Sequence, residues 1–188
     1  AQTTNVQASV AGGTPSTQFT LGSGYNRETT VYPGNSASHR SSFHAGLSHR
    51  TPDSRFQLQL TANYAASSNN LPLTDLAGLL ILPPNLPALR DSSGSLKWQE
   101  GGINFDNPLA YQLMKYEGHS DNLLGNLSLS WALRPNLSLL TSLGYNSTGF
   151  EESWLGPIAA QNPLYAPTGF AQSGHRSLKS WVAGPQLT

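Results

Sequence analysis

Apolar and polar residues alternate with period two along much of this chain. In Arg55–Ala65, Phe56, Leu58, Leu60, Ala62 and Tyr64 fall on one phase, and Gln57, Gln59, Thr61 and Asn63 on the other. A strand turns successive side chains to opposite faces, so this run predicts one apolar and one polar face. Leu137–Asn146 repeats the pattern, with Leu137, Leu139, Thr141, Leu143 and Tyr145 against Ser138, Leu140, Ser142, Gly144 and Asn146; Leu140 is its one imperfection. Thr17–Asn26 sets Phe19, Leu21, Ser23 and Tyr25 against Gln18, Thr20, Gly22, Gly24 and Asn26. Leu123–Leu133 sets Leu127, Leu129, Trp131 and Leu133 against Asn126, Ser128 and Ser130. Weaker alternation at Asn5–Ala11, Arg40–Arg50 and Leu178–Thr188 brings the predicted strands to seven.

The connections between these strands also alternate. Gly12–Ser16, Thr51–Ser54 and Arg134–Asn136 are tight turns, with Pro52 placed where a type I turn favours it. The other connections, about Arg27–Ser38, Ser67–Ser120 and Glu151–Ser177, are long. A short–long rhythm of this kind is the habit of outer-membrane β-barrels, with short periplasmic turns and long extracellular loops. Such barrels also carry aromatic girdles at both edges of their apolar band. Tyr25, Tyr64 and Tyr145 lie on the apolar phase toward the long-loop ends of their strands, and Phe19, Phe56 and Trp131 on the same phase toward the short-turn ends. From Phe56 to Tyr64 is about 26 Å of strand, or about 20 Å across a membrane at a tilt near 40°. The predicted fold is therefore all-β: an antiparallel up-and-down transmembrane barrel segment of about seven strands.

The long connections carry signals of their own. Leu73–Leu82 predicts a short helix before Pro83-Pro84, and Asp91–Ser95 a turn using Gly94. Asp106-Asn107-Pro108 predicts a cap with Pro at the first helical position, leading into a helix over Leu109–Glu117. A loop as long as 67–120 is expected to be internally structured.

Composition narrows the functional classes. Only 11% of the 188 residues are charged, 10 basic against 10 acidic, so nothing favours nucleic acid as a partner. With Cys 0, thiol nucleophiles and thiolate metal sites are absent. No apolar run reaches the length of a transmembrane helix, and no signal peptide is expected at the N-terminus. His39, His44 and His49 are spaced by five, which on one strand alternates their faces; His119 and His175 are placed in loops. Asp53, Asp75, Asp91, Asp106 and Asp121 fall in predicted turns or loops, and Glu151-Glu152 reads as a loop doublet. No Gly-x-Ser-x-Gly elbow occurs, and Gly22-Ser23-Gly24 lacks the third glycine of a dinucleotide fingerprint. The expectation is a non-enzyme without metal or cofactor.

Several stretches resemble the SusC-like branch of TonB-dependent outer-membrane transporters. Asn5–Thr14 resembles its first strand after the plug and the Gly-Gly turn. Pro83–Pro87 followed by Asp91–Gly94 and Trp98 resembles its proline loop, and Asn107–Ala110 its Asn-Pro-Leu box. Asp121–Asn126 through Leu137–Asn146 resembles its central hairpin, and Trp181–Leu187 a later strand. The resemblance implies that residues 1–188 form part of a 22-stranded barrel of the bacterial outer membrane. In that reading 67–120 and 151–177 are extracellular loops, and the plug and remaining strands lie outside this sequence. It implies uptake of oligosaccharide or peptide with a SusD-like surface lipoprotein, with TonB engaged elsewhere than on this segment. Candidate substrate residues are Gln57, Gln59, Asn63 and Asn126 on polar strand faces, with Trp98 and Trp154 in the loops; the six girdle aromatics would meet membrane lipid. The competing reading is a soluble antiparallel β module binding carbohydrate or peptide, distinguished by a second sheet packed on Leu58, Leu60, Leu127, Leu129 and Leu143.

Overall fold

The computed structural model describes residues 1–188 except Pro33, Leu73, Asp75 and Pro84. Its strands are β1 (Thr3–Gly13), β2 (Thr17–Thr29), β3 (Ala37–Arg50), β4 (Phe56–Asn69), β5 (Gln99–Glu100), β6 (Ile103–Asn104), β7 (Lys115–Arg134), β8 (Leu137–Gly156) and β9 (Phe170–Leu187). Seven of them form one antiparallel sheet in the order β1-β2-β3-β4-β7-β8-β9, and β5-β6 is a separate hairpin within the long connection. Every neighbour in the large sheet is the next long strand in the chain, so the topology is a pure meander.

The strands run further toward the long-loop end than alternation predicts. The three long connections are 30–36, 70–114 and 157–169, shorter than the expected 27–38, 67–120 and 151–177. Asp121, Glu151, Glu152, His119, His175 and Trp154, expected in loops, therefore stand on strands. The helix expected over Leu73–Leu82 is a 3-10 turn at Leu76–Ile81, with Leu73, Asp75 and Pro84 outside the described residues. The helix expected over Leu109–Glu117 is a 3-10 turn at Pro108–Gln112, cut short because β7 begins at Lys115.

Cross-strand pairing fixes the faces. Leu58 pairs with Leu129, Leu60 with Leu127, and Leu127 with Leu143, so these leucines share one face. The same face carries Val6, Val10, Phe19, Leu21, Phe43, Leu47 and Leu123. Among the described residues nothing packs on it as a second layer. Among the described residues, buried hydrophobic side chains are confined to Ala37, Ala110 and Ala160, so the large apolar side chains described have no protein core to enter. The accessible surface is 12863 Å², where a compact monomer of 20.1 kDa exposes about 8,700 Å².

The tyrosines reveal how the sheet is staggered. The row of paired residues through Tyr25 crosses β3 at Ser41 and β4 at Ala66, and Tyr64 lies two residues nearer the short-turn end. The row through Tyr64 crosses β7 at Leu123 and β8 at Ser147, and Tyr145 again lies two residues nearer that end. The tyrosine level thus drops one residue per strand. A step of about 3.3 Å per strand spacing of about 4.8 Å is a strand tilt near 35°, within the range of closed barrels.

Candidate functional site

Opposite the apolar face, every strand presents its polar phase. Gln57, Gln59, Thr61 and Asn63 on β4 pair with Ser130, Ser128, Asn126 and Leu124 on β7. Two troughs lie along this face. One, of about 550 Å³, is lined by Gln7, Arg40, Ser42, His44, Asn63 and Asn122 among others; Nδ1 of His44 is 2.7 Å from Oδ1 of Asn63. The second, of about 480 Å³ and nearer the short turns, is lined by Arg50, Gln57, Gln59, Ser128, Ser142 and Gln186 among others. Asn63, Gln57 and Gln59 are thus brought to the troughs. Asn126 shares their face but lines neither trough.

The two tryptophans stand apart from the troughs. Trp98 is half-buried in the long connection, where its carbonyl accepts the Phe105 amide at 3.1 Å. Trp154 lies on the polar face of β8 and packs edge-to-face on Phe170, ring centroids 5.1 Å apart. Phe170 lies directly over Gly156, where a Cβ would collide with its ring. The indole N–H of Trp154 is buried with no hydrogen-bond partner among the described residues.

The six girdle aromatics all lie on the apolar face by register. Phe56 packs edge-on against Trp131, centroids 6.5 Å apart, and Tyr145 pairs with Trp181, an aromatic at the same level that alternation left unassigned. Beyond the tyrosines the same face becomes polar. His39, Ser68, His119, Glu151 and His175 form one row across five strands, with Nδ1 of His175 3.2 Å from Oε1 of Glu151. Among the described residues no group of three or more His, Cys, Asp or Glu is placed to hold a metal ion.

The long connections are ordered by two copies of one small device. Asn107, only 2% exposed, donates from Nδ2 to the carbonyls of Leu89 (2.6 Å) and Lys97 (2.8 Å) and accepts the Leu109 amide on Oδ1 (2.9 Å). Pro108 follows at the first helical position, where its missing N–H costs nothing. Asn162-Pro163-Leu164 repeats the arrangement: Asn162 is buried and accepts the Leu164 amide at 3.1 Å. This second box was missed in the sequence, although it repeats the Asn-Pro-Leu triplet of the first. The 3-10 turns carrying the buried Ala110 and Ala160 pack against each other and join the two connections. The loop is further pinned at Asp91, whose Oδ1 accepts the Ser93 hydroxyl (2.6 Å) and the Ser93 and Ser95 amides (both 2.9 Å). The Ser93 hydroxyl, ahead of those amides, holds the carboxyl below its ordinary pKa. The β5-β6 hairpin turns through Gly101 and Gly102, both at positive φ as a type I′ turn requires.

No protein-family profile and no curated protein matches the sequence. Solved structures do match. The RagAB peptide importer in its closed-closed state aligns with a TM-score of 0.66 and 16% identity over 95% of this chain, and in its open-open state with 0.63 and 15% over 96%. The siderophore receptor PiuA from Acinetobacter baumannii aligns with 0.53 and 11% over 98%. The chain has the fold of a wall segment of a TonB-dependent transporter barrel. It spans about a fifth of the importer chains it matches, 21% in each case. The matched structures are importers and a receptor rather than enzymes. No helix among the described residues is long and apolar enough to cross a membrane.

Proposed function

We propose that this chain forms part of the wall of a TonB-dependent nutrient importer in the bacterial outer membrane. Its apolar face meets lipid, its polar face lines the lumen, and its long connections stand on the cell surface. The observation that carries the reading is the unlayered sheet. Its leucines and aromatics share one face that no other described part of the chain covers, at the tilt a barrel needs. A soluble β module would bury that face under a second layer. The flanking aromatics Phe19, Phe56, Trp131, Tyr25, Tyr64 and Tyr145 then sit at the two lipid–water boundaries. From Tyr145 to Gly156 β8 rises about 30 Å beyond the upper boundary at this tilt, which accounts for the polar row containing His119, Glu151 and His175. The joined loops at that end are suited to meet a SusD-like lipoprotein, and TonB would engage the full-length protein elsewhere. The similarity to a peptide importer makes peptide a candidate cargo beside oligosaccharide.

Because the segment has Cys 0, single cysteines give an uncluttered test in the full-length protein with any other cysteines removed. In outer-membrane vesicles, Leu60→Cys and Leu127→Cys carrying a spin label are expected to be relaxed by oxygen and shielded from a water-soluble nickel chelate. Gln59→Cys and Asn126→Cys should behave the opposite way. Chelate access to positions 60 and 127 in the membrane fraction would overturn the proposal.

A further inference from the structure

Charge on the polar face is not scattered. On β3 that face reads Ser38, Arg40, Ser42, His44, Gly46, Ser48 and Arg50, since Arg40 pairs with Asn26 and Ser67, His44 with Gly22 and Asn63, and Arg50 with Gln57. Two arginines and a histidine thus stand in file down one strand, about 13 Å and then about 20 Å apart. Arg40 and His44 line the upper trough and Arg50 the lower one. All three are exposed, and neither arginine has an ion-pair partner among the described residues. The imidazole leans along the strand, its Nε2 3.9 Å from where a Cβ at Gly46 would lie, and the absence of that side chain opens the step toward Arg50. Across the sheet, Arg176 shares the row of Arg40 through Ser67, Ser120 and Phe150. The acids of this face, Glu28 on β2 and Glu152 on β8, lie on one row through Ser38, Asn69 and Gly118, four strand spacings apart and on the loop side of Arg40 and Arg50. Below that row, the formal charge this wall presents is positive, inside a surround of Gln, Asn and Ser that can bind hydroxyl and amide groups.

Given the importer reading, on which this inference rests, we propose that Arg40, His44 and Arg50 form a stepped site for cargo bearing carboxylates, selecting acidic oligomers over their neutral counterparts. Guanidinium groups match carboxylates in planar, two-point hydrogen bonds, and uncharged polar neighbours complete the contact without competing for charge. The spacing suits an extended oligomer, whose successive carboxylates can meet positions about 13 Å and then about 20 Å apart along one strand.

The test uses the full-length protein purified in detergent and two matched probe pairs. One pair is a hexagalacturonate and its fully methyl-esterified form. The other is an alternating glutamate–alanine hexapeptide and its glutamine–alanine counterpart. In at least one pair the acidic member is expected to bind about tenfold tighter at low salt, as one charged hydrogen-bonded contact provides, and to lose that margin as salt rises. The pair that discriminates identifies glycan or peptide as the source of the carboxylate. Arg40→Gln and Arg50→Gln should each reduce the acidic member's affinity several-fold and leave the neutral member's unchanged. Arg40→Lys should keep part of the preference, which a merely structural arginine would not require. Equal binding within both pairs, or loss of both members' affinity together in variants that still run as folded barrels, overturns the proposal. If neutral oligomers bind while the spin labels at positions 60 and 127 report lipid, only the acidic selectivity fails and the importer reading stands. If those labels report water, the importer reading itself fails.

Discussion

Replacing Asn107 by alanine tests whether the surface loops are ordered by side-chain capping rather than by a core. The side chain makes three hydrogen bonds and is 2% exposed, so its loss strands two carbonyls and one amide where water enters poorly. At about 1 kcal/mol for each bond, the loop should lose about 3 kcal/mol of local stability. That corresponds to about a hundredfold in the opening equilibrium. Hydrogen exchange followed by mass spectrometry on the full-length protein reads this directly. Peptides covering 89–113 should exchange about a hundredfold faster in Asn107→Ala, while those covering β4 and β7 stay unchanged. Asn107→Asp sharpens the test, because it keeps an acceptor for the Leu109 amide but sets a carboxylate against the Leu89 and Lys97 carbonyls. At neutral pH it should be at least as damaging as alanine, and it should recover in part when acid protonates the carboxylate. Acceleration of less than tenfold in Asn107→Ala would show that the Asn-Pro-Leu box decorates a loop held by something else.

Three further outcomes follow from the same geometry. Leu127→Arg, on the uncovered apolar face, should cost about 2–4 kcal/mol in urea-controlled folding of the full-length protein into vesicles, while Asn126→Arg one residue away should cost under about 1 kcal/mol; the reverse order would invert the faces. Gly156→Ala should drive Phe170 off its seat and loosen its edge-to-face contact with Trp154, costing about 1–3 kcal/mol as an overpacked site does and speeding exchange in 157–169; unchanged exchange there would refute the seating. Asp53 in the β3–β4 turn has a lowered pKa, first through the Thr51 hydroxyl and then through the Arg55 amide. A lowered folded pKa stabilises above the unfolded value and loses that contribution as pH falls through the folded one, so the Arg55 amide should lose protection below about pH 4 in the parent and show no such step in Asp53→Asn.

On the proposed reading as a barrel wall, what the sequence made legible follows from where each strand would meet lipid. Alternation is strong in Arg55–Ala65 and Leu123–Leu133 because one face there must be apolar and the other polar. Beyond the tyrosine level both faces of a projecting strand would meet water, and the pattern lapses. Ser147, Gly149, Glu151 and Ser153 on one face of β8 oppose Asn146, Thr148, Phe150 and Glu152 on the other, so hydropathy alone places the strand end near Asn146 when pairing carries it to Gly156. For the same reason Trp154, His119 and His175 read as loop residues. The basic file was hidden differently. β3 is the strand where His39, Ser41 and His49 weaken the apolar phase, so period two puts Arg40, His44 and Arg50 on one face but only pairing with β2 and β4 shows that it is the polar one.

The open edges complete the physical case. Among the described residues β1 pairs only with β2 and β9 only with β8, so about half the backbone groups along their 11 and 18 residues point away from the sheet without a partner there. In water such edges recruit other strands, and in lipid each unmet group costs several kcal/mol. A charged or proline-rich edge would signal a strand meant to stay alone, yet β1 has no charged residue or proline, and β9 concentrates His175, Arg176 and Lys179 toward the long-loop end. The lower half of β9, from Ser180 to Leu187, carries Pro185 but no charge. Charge on β9 therefore opposes pairing least where the sheet would cross lipid and most where it would stand in water, and β1 opposes it nowhere. That gradient is what a wall needs if its neighbours on both sides are further strands of a closed barrel.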